Sequence, residues 1–159
     1  MTDTYIWQKF RQRFLAIDGK IQGENGEEID IIAKRETDGV IEYTNVIEPN
    51  DTSPRENLKN DSGIWFEIFL LHSEPFQQEL GTSGRNRWNL RVQININCPR
   101  GSGTYGADAA YDAISAQFKR GDIFDGIRVM STASRSSARF YEDFCSVPVT
   151  IMLQADLTN

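Results

Sequence analysis

The chain has 159 residues with 23 acidic and 17 basic side chains, which gives a formal net charge of −6. This length predicts a single domain over residues 1–159 that buries about 70% of its unfolded surface, so its core needs no disulfide or metal. The acidic balance argues against non-specific nucleic-acid binding, which requires clustered Lys and Arg. No apolar run approaches the ~20 residues of a membrane span, and the first residues do not resemble a signal peptide. We therefore expect a cytosolic protein that does not bind membranes.

The charge is distributed unevenly along the chain. Residues 1–80 hold 8 Lys/Arg against 16 Asp/Glu, whereas residues 81–128 hold 7 against 4. An acidic region and a basic region on one chain suit head-to-tail self-association, in which two different surfaces meet. A solvated acidic surface that maintains solubility is the alternative explanation.

A helix is predicted at the N-terminal end of the sequence. Asp3 or Thr4 can cap it, and Gly19 ends it. Its apolar face consists of Ile6, Phe10, Phe14 and Ile17.

A hairpin follows this helix. Ile29–Ala33 and Val40–Ile47 are predicted strands on either side of Thr37–Gly39, where an Asp-Gly pair readily supplies positive φ angles. The polar segment Pro49–Gly63 is too long for a simple connection, so we expect it to have a function or to be disordered.

Two long strands are predicted in the middle of the chain. Ile64–Leu71 is apolar on nearly both faces, which predicts a central strand covered by helices on one side and by another element on the other. Leu90–Asn97 alternates strictly between apolar and polar residues, which is typical of an antiparallel sheet with one wet face. A basic turn at Gly81–Trp88 joins them into a long antiparallel hairpin.

A second helix is predicted over Thr104–Arg120. Ser102 or Thr104 can cap it, and Gly121 can stop it. Its buried side consists of Ala109, Ala110, Ala113, Ile114, the Gln117 stem and Phe118.

The last predicted strand pair is Ile127–Met130 with Phe144–Leu153, and Pro148 should push its strand toward a sheet edge or a bulge. The segment between them, Ser131–Arg139, is a basic loop of small residues. The predicted fold class is therefore α+β: a mainly antiparallel β-sheet with two α-helices packed on one face, plus an extra β-hairpin in the N-terminal half.

One glycine motif resembles a nucleotide-binding signal. Gly101, Gly103 and Gly106 have the spacing G-x-G-x-x-G, which indicates a dinucleotide site only when it follows a buried parallel strand and opens a helix. A helix does follow, but the preceding strand alternates, and Asp122 and Asp125 come before the next strand rather than after it. We interpret the glycines as a strand-to-helix turn.

Catalytic and metal-binding constellations are scarce. His72 is the one histidine, so the sequence has too few histidines for a multi-histidine metal cluster and only this one as the base of a serine triad. The pairs Asp122/Asp125 and Glu142/Asp143 lack the spacing of a calcium loop, and we interpret them as solvated turn residues. No cofactor and no enzymatic activity are expected.

The cysteines and tryptophans are interpreted as packing residues. Cys98 and Cys145 are far apart in sequence and can pair only if the fold brings them together, which a reducing compartment would discourage. Trp7 and Trp65 are predicted core anchors, whereas Trp88 lies near a hairpin end, where a partner surface is plausible.

Four phrases in order resemble one protein family. They are Glu79–Trp88 (ELGTSGRNRW), Cys98–Gly103 (CPRGSG), Ala109–Phe118 (AAYDAISAQF) and Val147–Ile151 (VPVTI). Together they resemble the tail terminator proteins of long-tailed bacteriophages, the minor tail protein U-like group, over about Tyr43–Asp156. The segment between Gly19 and Val40 departs from the family, because its acidic hairpin is longer than the family's usual link.

The resemblance implies a structural role in the virion. Family members form a hexameric ring that caps the tail tube, stops its polymerisation and joins the head connector. The implied partners are copies of this chain, the tail tube protein and the head-tail connector or stopper protein. DNA only passes through such a ring, so no sequence-specific nucleic-acid binding is implied. The implied location is the head-proximal end of the virion tail, after assembly in the bacterial host cytoplasm.

Contact residues are expected at the tips of the two long hairpins, at Gly81–Trp88 and Ser131–Arg139. Arginines are suited to this role because the guanidinium forms planar, two-pronged bonds with carboxylates. The candidates for contact with the tube or a neighbouring subunit are Arg85, Arg87, Trp88, Arg135 and Arg139.

Two alternatives remain open at this point. Another phage neck or tail-tube ring protein would share an α+β ring-forming domain and differ mainly in its partner. A small nucleotide-binding module that uses Gly101–Gly106 is the alternative from another class of function.

Overall fold

The computed structural model describes residues 2–22, 26–49, 63–72, 76–77, 85–101 and 105–158. Within these ranges the fold is α+β, as predicted, with helices α1 (Thr2–Leu15) and α2 (Tyr105–Gln117) on one face of a mainly antiparallel sheet. No helix in the described ranges is long and apolar enough to cross a membrane. The strands are β1 (Lys20–Gln22), β2 (Glu28–Asp30), β3 (Lys34–Thr37), β4 (Val40–Tyr43), β5 (Val46–Ile47), β6 (Trp65–His72), β7 (Phe76–Gln77), β8 (Arg85–Pro99), β9 (Ile123–Phe124), β10 (Ile127–Val129), β11 (Ser134–Arg135), β12 (Arg139–Phe140) and β13 (Phe144–Thr158).

Two fifteen-residue strands, β8 and β13, form the centre of the main sheet. They pair antiparallel from Arg85 opposite Thr158 to Pro99 opposite Phe144. The strand order is β5-β6-β8-β13-β10-β9, with β7 also on β8 and with β11 and β12 also on β13. The only parallel pair among the described strands is β5 with β6. Two separate hairpins, β1–β2 and β3–β4, precede this sheet.

The core lies between the helices and one face of this sheet. Alternate residues of β8 and β13 point toward the helices, and each of these side chains from Leu90 to Cys98 and from Cys145 to Ala155 is buried. Phe10 of α1 stacks on Phe118 with ring centroids 4.8 Å apart, and Phe14 meets Phe66 of β6 edge-on at 5.7 Å. Fully burying each such ring stabilises the fold by about 1.5–3 kcal/mol.

Both helices differ from the predicted boundaries. Helix α1 begins at Thr2, so Asp3 and Thr4 lie inside it, and it ends at Leu15, after which the Ile17 N–H bonds to the Phe14 carbonyl in a tighter turn instead of continuing the helical ladder. Helix α2 ends at Gln117 rather than Arg120, because Gly121 donates its N–H to Val129 of β10. Ser102 and Gly103 lie outside the described residues.

The N-terminal hairpin turns where the sequence predicts but uses a different first strand. Asp38 and Gly39 have φ angles of 52° and 79°, which confirms the turn. The strand opposite β4 is Lys34–Thr37, so the predicted strand Ile29–Ala33 is wrong. The reason is that Ile31 and Ile32 are 2% exposed and leave the strand to enter the core.

Strand β6 is not covered on both faces. It lies between β8 and the two-residue β5, with Phe66 and Ile68 buried toward the helices. On the other face Trp65 packs beside Phe144 at 5.2 Å, but Phe69 is 44% exposed. The prediction that another element covers this second face of β6 is therefore wrong for the residues of the strand after Trp65, within the described part of the chain.

Pro148 is not at an edge of the sheet, because β13 has neighbours on both sides. Its carbonyl accepts the Ser136 N–H at 2.9 Å, and in an antiparallel ladder a residue's nitrogen points to the same side as its carbonyl. The Pro148 nitrogen, which carries no hydrogen, therefore faces the break between β11 and β12. No described strand is paired there, so the missing N–H costs the sheet no hydrogen bond. The predicted edge position of Pro148 is therefore wrong. The sheet accommodates this proline by a break between the neighbouring strands β11 and β12.

Cys98 and Cys145 are directly opposite each other on β8 and β13, with Cα atoms 5.4 Å apart, and form a disulfide. The interpretation of both as small packing residues is therefore wrong, because the fold does bring them together. Sequence separation concealed the pairing, because only the register of the two long strands brings the cysteines together.

Candidate interaction surface

The sheet face that points away from the helices carries polar and charged side chains. On β8 and β13 these are the residues that alternate with the buried ones, as the pattern of Leu90–Asn97 predicts. We call this surface the open face. Its charged and exposed apolar members include Phe69, Leu71, Arg87, Arg91, Arg128 and Asp156.

Arg87 is held on the open face by a two-pronged ion pair. It lies directly opposite Asp156 across β8 and β13. Its Nε and Nη2 donate to the two carboxylate oxygens of Asp156 at 2.8 and 3.0 Å. This hydrogen bonding raises the pKa of Arg87 above its ordinary value, and the neighbouring negative charge adds to the effect. The guanidinium is therefore charged and fixed in orientation at ordinary pH.

A cavity of about 320 Å³ lies beside this ion pair. Its far wall is the β9–β10 hairpin, whose turn at Asp125 and Gly126 has φ angles of 49° and 80°. The Tyr5 hydroxyl donates to the Asp125 carbonyl at 2.8 Å and anchors the turn to α1. Two guanidinium groups and an isoleucine suit a carboxylate on a partly apolar surface. The lining residues are Arg87, Ile123, Gly126, Arg128, Gln154 and Asp156.

The predicted contact arginines do not form one cluster. Arg87 and Arg139 both lie on the open-face side, where Arg139 is opposite Ser146 and exposed. Arg85 pairs through its backbone with Thr158, and its side chain lies outside the described part.

Arg135 points to the opposite side of the sheet, where it joins β11 to α2. Its guanidinium forms an ion pair with Asp108 and lies 5.5 Å from the centre of the Tyr111 ring. The Tyr111 hydroxyl donates in turn to the Ala133 carbonyl at 2.7 Å. Arg135 therefore contributes to the packing of its own chain.

Trp88 also points toward the helices rather than onto the open face, and its half-buried ring packs against the core. Its indole nitrogen is buried, without a hydrogen-bond partner among the described atoms. The structure thus brings Arg87 together with Asp156 and Arg128, but not with Arg135 or Trp88.

The glycine motif lies in a different setting from a dinucleotide site. Gly101 is in the turn after β8 with a φ of 90°, and Gly106 is in the first turn of α2. A Cβ on Gly106 would lie 2.5 Å from Ile64 Cδ1, so this glycine allows close helix packing. Gly103 lies outside the described residues. Because β8 is antiparallel to both β6 and β13, the parallel β-α-β context that the motif requires is not formed there.

The other polar candidates are dispersed. Asp122 accepts a hydrogen bond from Arg13 of α1 at 3.2 Å, and Glu142 and Asp143 are exposed in a bend before β13. His72 ends β6, with its side chain outside the described part. Within the described ranges no three His, Cys, Asp or Glu residues are grouped closely enough to hold a metal.

Sequence reasoning missed Asp156, Arg128 and the cavity. A signal for Arg128 was present, because it alternates with the buried Ile127 and Val129 after the Asp-Gly turn. The pairing of Arg87 with Asp156 had no local signal, since it depends on the register of β8 with β13.

Comparison with known proteins defines the chain only at the level of its fold. No family model and no curated protein matches it. It is similar to a solved structure whose name describes no function, with a TM-score of 0.55 and 16% identity, over 74% of this chain and 80% of the other. The class established by fold and surface is therefore an α+β domain with helices on one sheet face and an arginine-bearing open face.

Proposed function

We propose that the chain is a structural virion protein, a tail terminator that caps the tail tube, stops its polymerisation and forms the interface for head-tail joining. The phrases that carry the resemblance support this proposal because they lie on one connected unit. Of these phrases, Arg85–Trp88 begins β8, Cys98 and Pro99 end it, Ala109–Gln117 lies on α2, and Val147–Ile151 lies on β13.

The observation that carries the proposal is the opposite charge of two surfaces on one subunit. Residues 26–49, which form β2, the β3–β4 hairpin and β5, carry seven Asp/Glu against two Lys/Arg. The open face and its margin carry Arg87, Arg91, Arg128 and Arg139 against Glu67 and Asp156. A ring is built from a heterologous contact that closes, and two complementary surfaces supply such a contact.

In this proposal the partners are further copies of the chain in a hexameric ring, the tail tube protein and the connector or stopper protein. The place of action is the head-proximal end of the tail, after assembly in the host cytoplasm. The protein acts by positioning surfaces rather than by chemistry.

The test is native mass spectrometry with negative-stain imaging, followed by mixing with tail tubes. We expect a six-subunit ring with a central hole, or a ring that closes on the tube tip, and tubes that no longer elongate. Replacing Arg85 and Arg87 together by Ala should weaken capping, while loss of the exposed Arg87–Asp156 pair costs below about 1 kcal/mol of stability. The paired substitution of Arg100 and Arg120 by Ala, two exposed arginines outside the cavity, is the matched control. A protein that neither forms rings nor caps tubes would reject the terminator function.

Two further measurements separate the alternatives. Co-sedimentation with connectors in preference to tail tubes would indicate another neck or tube ring protein. A nucleotide-binding module would be stabilised by NAD or ATP, by about 2.7 kcal/mol at a hundred times the dissociation constant, and we expect no such thermal shift.

A further inference from the structure

Two exposed hairpins of the chain carry matching pairs of one isoleucine and one charged residue. In β3–β4, Glu36 is directly opposite Ile41, which is 53% exposed. In β9–β10, Arg128 is directly opposite Ile123, which is 61% exposed. Residues opposite each other on adjacent strands project from the same face, so each hairpin presents an apolar side chain beside a charge.

Neither charge is neutralised within the described part of the chain. On the other face of β3–β4, Arg35 pairs with Glu42 at 2.6 Å, which leaves Glu36 as the acid without an ion pair within the strands β3 and β4 themselves. At the cavity, the Asp156 carboxylate is bonded at both oxygens by Arg87, and Arg128 forms no ion pair there. In the described part of the chain, each of these two hairpins therefore presents a charged side chain without an ion pair, Glu36 on one and Arg128 on the other, beside an exposed isoleucine.

The β3–β4 hairpin is shaped to reach another molecule. All its residues from Lys34 to Glu42 are exposed, and it pairs with no strand of the main sheet. An isolated two-stranded hairpin is marginally stable in water and gains from packing against a partner. Its tip also exposes Val40, at 67%. The cavity of about 320 Å³ has room for a carboxylate and the end of an aliphatic side chain.

We propose that the β3–β4 hairpin of one copy docks beside the cavity of a second copy, with the Glu36 carboxylate on the Arg128 guanidinium and Ile41 against Ile123. The inference rests on the proposed function in taking a second copy of this chain as the partner. Charge complementarity favours that partner, because Glu36 and Arg128 carry opposite charges on different hairpins of the same subunit. Such a contact is heterologous, so it repeats head to tail and closes into a ring when the rotation allows. The apolar pair shields the ion pair from water and strengthens it.

Single-cysteine cross-linking of the full chain tests this contact. The native cysteines are held in the Cys98–Cys145 disulfide, so Ile41→Cys in one preparation and Ile123→Cys in another each add one reactive thiol. Mixing the two under mild oxidation should give a disulfide-linked heterodimer well above the homodimer of either variant alone. Adding Arg128→Glu to the Ile123→Cys chain should lower that yield about fivefold, since an attraction becomes a repulsion. Adding Glu36→Lys to the Ile41→Cys chain should then restore it.

Matched controls use exposed charges outside these pairs. Arg120→Glu and Glu142→Lys, introduced in the same way, should leave the heterodimer yield unchanged. A heterodimer yield no higher than that of the homodimers, or one insensitive to the charge reversals, would overturn the docking contact. Rings that form and cap tubes without this cross-link would reject the contact and leave the terminator function in place. A charge-dependent cross-link without rings or capping would establish the contact and reject the terminator.

Discussion

At the scale of single residues, Asn45 connects three segments of the N-terminal half. Its side chain is fully buried, and its Oδ1 accepts the Ala33 N–H at 2.8 Å. Its Nδ2 donates to the carbonyls of Ile31 at 2.8 Å and Ile64 at 3.3 Å. Buried backbone groups need such partners, so this one amide satisfies groups that no strand ladder reaches.

Replacing Asn45 by Ala should therefore destabilise the protein by about 3 kcal/mol, because buried backbone groups lose their partners and each such loss costs about 1–3 kcal/mol. The measurement is the free energy of unfolding from urea titration. Asn95→Ala is the control, since Asn95 is half-buried on the open face and accepts one hydrogen bond from Gln93. Equal losses in the two variants would contradict the role of Asn45.

At the scale of elements, the pairing of β8 with β13 determines most of the molecule. It places the buried faces of both strands under the helices, and it sets Arg87 against Asp156 and Cys98 against Cys145. A covalent link between two long central strands restricts the unfolded chain as well as the folded one.

The disulfide should contribute about 4 kcal/mol, as the loop-entropy relation gives for a separation of 47 residues. Wild type measured with and without reductant should differ by this amount in its free energy of unfolding. The free energy of unfolding of the double variant Cys98→Ala with Cys145→Ala should not change when reductant is added. An oxidised protein, verified by intact mass, that is no more stable than the reduced one would contradict this prediction.

At the scale of the whole molecule, the acidic hairpins and the arginines of the open face divide the charge between two surfaces. Attraction between exposed charges is screened by salt, with a Debye length of about 10 Å at 0.1 M ionic strength and about 3 Å at 1 M. An assembly held by these surfaces therefore weakens as salt is added.

Sedimentation velocity should show the fraction of six-subunit species falling as NaCl is raised from about 50 mM to about 500 mM. Sodium sulfate strengthens apolar association, so the fraction of six-subunit species would rise with this salt if apolar contacts held the assembly together. An assembly that is unchanged or increased by NaCl would show that apolar contacts rather than charge hold it together.

The sequence predicts the features that have a local signal. The alternation of Leu90–Asn97 predicts the wet face, and the Asp38–Gly39 pair predicts the hairpin turn, because each depends only on neighbouring residues. The disulfide and the partner of Arg87 have no such signal, since both follow from the register of strands far apart in sequence. Arg135 was predicted at a surface tip, but Asp108 and Tyr111 of α2 hold it on the other face.

The order of the strands has a consequence for how the protein is made. Strand β8 lies between β6 and β13, yet β13 follows it only after α2 and four short strands have been synthesised. During translation one edge of β8 must wait with unpaired backbone groups until β13 has been made. Non-local pairing of this kind slows folding and exposes the nascent chain to mispairing, so the sheet closes only after β13 has left the ribosome. We therefore expect chaperones present during synthesis to raise the yield of folded protein, independent of how stable the finished subunit is.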